Sequence, residues 1–138
     1  MEISAHIRNG PNEHAVHVRT AGKTRRLEVA ARAEAPGSSV NGGELLMAAL
    51  ATCYCNDLYR EAARLGIALQ GCEVVAVARF DGVGLGAESV TYRARVDSNA
   101  PAEQIERLLA ETDRLAEVHN TLRAGCPVQR VAWEAPTT

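Results

Sequence analysis

The sequence predicts one α+β domain over residues 1–138, ordered βββ-α-ββ-α-β, with two long helices packed on antiparallel sheet. Three observations predict it. Segments with period-two character come grouped in hairpins instead of alternating singly with helices, which excludes a doubly wound parallel sheet. The run 43–65 consists of strong helix formers without proline or internal glycine. Its first half, "ELLMAALATC", is apolar on every side, and one small sheet covers only one side of a helix, so a second copy of the chain is the simplest cover.

Each element follows in order. "EISAHIR", "HAVHVRT" and "KTRRLEVAA" alternate and are separated by "NGPNE" and "AG", both good turn sequences, which predicts an antiparallel meander. "RAEAPGSSVNGG" is a loop delivering the chain to the first long helix. That helix becomes amphipathic in "NDLYREAARLG", so it is expected to run from the interior outward and to stop at Gly66. "LQGCEVVAVARF" and "ESVTYRARVDS" form a hairpin joined by "DGVGLGA". A single second helix begins near Pro101 and ends near Gly125, and "CPVQRVAWEA" closes the fold as a short strand.

Composition narrows the function. Apolar residues make up 46% and charged residues 23%, as in soluble globular chains, and 15 basic against 17 acidic side chains leave a net charge of −2. No positive field invites nucleic acid or an anionic membrane, and aromatic residues at 4% provide little surface for base stacking. "MEISAHIRNG" lacks a basic segment followed by an apolar run, and no window reaches a membrane span, so the cytoplasm is the expected location. Four cysteines (Cys53, Cys55, Cys72 and Cys126) are therefore expected as reduced thiols, not a disulfide framework.

Cys53 and Cys55 are two apart on one helix, which rotates their side chains by roughly 200° and sends them to opposite faces. A zinc site lacks a second paired-thiol element, and no metal or cofactor is expected. A functional thiol must ionise near neutral pH, which needs a cation or hydrogen-bond donors because burial alone raises its pKa. Cys53 shares a helix face with Asn56, Asp57 and Arg60. Arg60 is two turns away, roughly 10 Å along the axis, so Arg8, Arg19, Arg25 or Arg26 from the strands is the expected activator. Cys72 reads as a small buried hydrophobe in an apolar strand. "DGVGLGAES" reads as a hairpin loop instead of a phosphate cradle, and no nucleophile elbow surrounds Ser38 or Ser39.

"GGELLMAALATC" followed by an amphipathic half-helix resembles the reactive-cysteine helix of the OsmC/Ohr family, and the order of the remaining elements agrees along nearly the whole chain. The resemblance implies an intertwined homodimer with active sites at the subunit interface. It further implies reduction of organic hydroperoxides in oxidative-stress defence, and regeneration by a dithiol such as a lipoylated protein. Cys53 takes the place of the peroxidatic cysteine. The family's Pro-Glu pair, which holds an activating arginine, is here Gly42 and Gly43, leaving Glu44 as the candidate orienter of that arginine. Registering "VHNTLRAG" on the family's segment after its second Cys-Pro places Ala116 and Glu117 there. The usual resolving cysteine is then absent, and Cys126, Cys55 or an external thiol takes its part. The alternative function is a non-catalytic member of the fold that binds a hydrophobic small molecule at the dimer interface.

Overall fold

A computed structural model of the chain describes residues 1–136. The elements run β1 (Ile3–Gly10), β2 (Glu13–Thr20), β3 (Lys23–Leu27), α1 (Gly42–Leu65), β4 (Gly71–Arg79), β5 (Ser89–Asp97), α2 (Ala102–Leu115) and α3 (Glu117–Ala124). They form two compact units: Met1–Gly42 together with the segment from Gln129, and Gly43–Val128.

In the first unit β1, β2 and β3 make the expected antiparallel meander. The β2–β3 turn is Ala21-Gly22 with φ of 49° and 77°, the doubly left-handed backbone whose twist matches a two-residue hairpin. Register puts Ile3, Ala5 and Ile7 opposite Thr20, Val18 and Val16, and Leu27 opposite Val16, so the apolar side chains share one face. Within one chain that face is thinly covered. Val16 is buried, whereas Ile3 and Ile7 stay 66% and 56% exposed.

In the second unit β4 and β5 form the predicted hairpin, with Cys72 opposite Val96 and Val74 opposite Ala94. Helices α1 and α2 lie on it through a core of Tyr54, Leu58, Ala62, Ile67, Leu108 and Ala116, with Cys53, Cys72, Val74, Tyr92, Ala94 and Val96 packed against it. Helix α1 stops where expected: Gly66 is left-handed (φ 70°), and the Ile67 N–H reaches back to the Ala62 carbonyl at 2.8 Å.

The fold class is the expected α+β one, and three details differ from the sequence reading. No strand forms over 126–136, although Val131 and Trp133 alternate as a strand would. A strand exists only when another strand pairs its backbone, and none of the described residues does so here; Val128, Val131 and Trp133 stand 97%, 77% and 80% exposed. The second helix is two helices, because Ala116 adopts an extended conformation (φ −72°, ψ 112°). Finally, α1 buries its second half most deeply in a single chain: its buried residues are Leu50, Tyr54, Asp57, Leu58, Glu61 and Ala62, while Ala48 and Ala49 are exposed. No helix is long and apolar enough to cross a membrane.

Candidate active site at Cys53

Cys53 lies half-buried near the middle of α1. Its thiol points at two carboxylates, 3.7 Å from Asp57 Oδ2 and 3.8 Å from Glu117 Oε2. Asp57 is there because it follows one helical turn later on the same face. Glu117 is there because the extended backbone at Ala116 starts α3 directly over the sulfur, which also brings the Val118 N–H to Cys53. Arg60 joins the cluster through its reach. Its Nη1 lies 3.0 Å from Asp57 Oδ1 and 3.6 Å from Glu117 Oε1, so one guanidinium bridges both carboxylates.

These contacts pull the thiol in opposing directions. Burial pushes the Cys53 thiol above its ordinary value, the Val118 N–H opposes this, and the Asp57 and Glu117 charges push it up again. The carboxylates differ. Burial raises Asp57, more than Arg60 offsets, and Glu117 adds to the rise. Glu117 is held below the usual carboxylate range by its own backbone N–H, its hydrogen bond with Asp57 and the Arg60 charge. The arrangement provides a sulfur, an adjacent proton acceptor, and a cation that limits the negative charge the sulfur must face. Cys53, Asp57 and Glu117 also offer ligand atoms within 4.8 Å of one another, with Arg60 paired to Oδ1 and Oε1 while the thiol faces Oδ2 and Oε2.

Behind the cysteine lies an aromatic cluster. Tyr92 stacks edge-on against His119 at 4.6 Å and lies 4.7 Å from Tyr54. The Tyr54 hydroxyl donates to the Leu109 carbonyl at 2.7 Å, and burial pushes its pKa up to about 12. The Tyr92 hydroxyl donates to Asp113, which also accepts from Arg123 at 2.7 Å. His119 is 3% exposed, with neither ring nitrogen hydrogen-bonded. Burial and then Arg123 hold it below its ordinary pKa, hence neutral. Leu50, Val90, Thr91, Tyr92, His119, Leu122 and Arg123 line a cavity of about 290 Å³, and Leu50 sits one helical turn before Cys53.

The other sequence candidates fall elsewhere. Cys55 does not face Cys53: its sulfur is 3.2 Å from that of Cys72, so Cys72 is more than an isolated core residue. Cys126 is exposed beyond α3, its thiol donating to the Pro127 carbonyl at 3.9 Å. Glu44 is exposed in the first turn of α1, nine residues and about 13 Å along the axis from Cys53. Among the arginines considered as activators, Arg8 pairs with Glu13 at 3.0 Å and Arg26 with Glu28 at 2.9 Å inside the first unit. Arg60, expected to make poor direct contact with Cys53, pairs with Asp57 and Glu117 and not with the sulfur. Spacings of four and seven signalled Asp57 and Arg60, whereas nothing short of the register placing Ala116 and Glu117 signalled Glu117. Ala116 is fully buried in the core against which Cys53 packs, where the resemblance implies a second cysteine.

The model of the family described as OsmC-like protein matches residues 35–130. Among solved structures, an OsmC-like protein from Mycoplasma pneumoniae superposes with a TM-score of 0.60 at 16% identity, covering 88% of this chain and 86% of that one. An organic hydroperoxide resistance protein from Legionella pneumophila gives 0.58 at 20% identity, covering 88% of each chain. One from Elizabethkingia anophelis gives 0.60 at 16% identity, covering 89% of each. These likenesses are of fold. No curated protein matches the chain.

Proposed function

Since the chain belongs to the OsmC-like family, we propose that it is a thiol-dependent reductase of organic hydroperoxides with Cys53 as the peroxidatic residue. The observation that carries this reading is the Cys53 sulfur set against Asp57 and Glu117, with Arg60 bridging the two carboxylates. Asp57 takes the thiol proton, the thiolate attacks the terminal peroxide oxygen, and the O–O bond breaks. The departing alkoxide takes a proton to leave as an alcohol, and Cys53 is left as a sulfenic acid. With Ala116 in place of a neighbouring cysteine, an external dithiol completes the cycle. Its first thiol attacks the sulfenic sulfur, releasing water and forming a mixed disulfide, and its second displaces Cys53 as the dithiol closes into a disulfide. A lipoylated protein in the cytoplasm has the required chemistry. The cavity beside Leu50 suits an apolar peroxide tail better than hydrogen peroxide.

A single domain completed by a second copy, intertwined with the first, accounts for the uncovered apolar face at Ile3 and Ile7 and for the unpaired segment holding Val131 and Trp133. Light scattering should give twice the monomer mass.

A second reading, a non-catalytic protein binding a hydrophobic small molecule, is favoured by the upward push on the Cys53 thiol and by the apolar cavity. One assay separates the two. In a Cys55→Ser background, dilute cumene hydroperoxide should add one oxygen to Cys53, trapped by a sulfenic-acid reagent, far faster than to an unfolded control thiol. Equal rates would sink the enzyme reading and leave the binding one.

A further inference from the structure

The Cys55–Cys72 pair is independent of the site just described. Cys55 projects from the opposite side of α1 to Cys53, and Cys72 lies in β4, so the pair spans the junction of helix and hairpin. Both thiols are half-buried and free, and their sulfurs are 3.2 Å apart, against about 2.05 Å for a formed bond. Closing that gap takes a shift of about an ångström. Tyr59, 46% exposed and one turn after Cys55, places its hydroxyl beside the Cys72 thiol, where it lowers the pKa that burial raises. A shallow cleft of about 420 Å³, lined by Gly71, Cys72, Glu73, Arg95, Val96 and Asp97, opens the Cys72 end to solvent. Contact, exposure and a hydroxyl that can support the sulfur are thus present together.

The geometry points to Cys55 and Cys72 as a second redox centre, a dithiol that closes reversibly into a disulfide by exchange with small disulfides and ties α1 to β4. One thiol loses its proton to solvent and attacks a sulfur of the small disulfide, breaking its S–S bond and expelling one thiolate. The second protein thiolate attacks the mixed disulfide and expels the other. Two protein thiols are oxidised, one disulfide is reduced to two small thiols, and the two protons end on those products. Cys53 has no part in the exchange, so the inference stands whatever Cys53 does.

The test uses the full chain carrying Cys53→Ser and Cys126→Ser, incubated with oxidised glutathione. The intact mass should fall by two hydrogens, trypsin should release peptide 33–60 linked to peptide 65–79, dithiothreitol should separate them, and the oxidised form should melt at higher temperature. A lasting glutathione adduct on one cysteine without the link would overturn the inference, as would native thiols that stay free while those of the urea-unfolded protein react. If the double variant does not fold, the same peptides are mapped from wild-type protein. Fragmentation must then place the bond at Cys55, and a bond from Cys53 to Cys72 would overturn it equally.

Discussion

Cys53 and Cys55 stand two residues apart on α1, yet one sulfur faces two carboxylates that an arginine bridges while the other faces a second sulfur. The helix supplies both thiols with the same backbone, so the difference comes from what packs on each side. On the side of α3 the neighbours are ionic and suit a sulfur that changes oxidation state alone. On the side of β4 the neighbour is another thiol, which suits chemistry of a pair. Position along a helix therefore says little about a cysteine until the packing on its face is known.

The sharpest way to break this contrast is to exchange one sulfur at a time. Cys53→Ser should reduce hydroperoxide consumption to the uncatalysed background, whereas Cys55→Ser should keep it, as followed by loss of cumene hydroperoxide in the presence of a dithiol. Equal losses would erase the distinction. Next in size is Leu58→Ala, which cuts into the core against which Cys53 and Cys72 pack. Leu58 is fully buried, and its truncation should cost about 2–5 kcal/mol in urea unfolding. A change below about 1 kcal/mol would mean that the two sites do not share this support.

Smaller electrostatic changes sharpen the comparison. Arg60→Met leaves Asp57 and Glu117 uncompensated, so alkylation of Cys53 at neutral pH should slow about tenfold, equivalent to about 1.4 kcal/mol. Asp57→Asn should act in the opposite direction by a smaller factor, and Cys55 labelling should follow neither change. The mildest probe is pH. Because Cys53 is pushed above its ordinary value, its alkylation rate should keep climbing with pH after that of the same thiol in the unfolded protein has levelled off. A plateau at lower pH than the unfolded control would show a thiol stabilised as its anion.

Much of the architecture was legible along the chain. The meander, α1 with its stop at Gly66, and the β4–β5 hairpin follow from local periodicity and turn chemistry. What escaped reading depended on partners. Val131 and Trp133 alternate correctly but need another strand before they can be one. Ala116 interrupts α2 and α3 without a proline or glycine to announce it, since alanine favours helix and only tertiary packing overrides that preference. At the site, Cys53 stood out from its surrounding motif. Arg60 reaches the cluster through a long side chain that folds back toward Asp57 and pairs with the carboxylates, not with the sulfur, as its axial distance from Cys53 implies. The Cys55–Cys72 contact joins a helix to a strand across 17 positions, a separation no periodicity encodes.

The interruption at Ala116 carries one more consequence. Asn120 spans it, donating from its side chain to the Arg114 carbonyl at 3.0 Å, while Thr121 ties back to Glu117 at 2.7 Å. The acidity of the sulfur at position 53 is thereby coupled to a small joint elsewhere in the chain: if the joint flexes, Glu117 and the Val118 amide leave together, one lifting its repulsion as the other withdraws its support. The two contacts that this joint delivers thus act on the thiol in opposite directions.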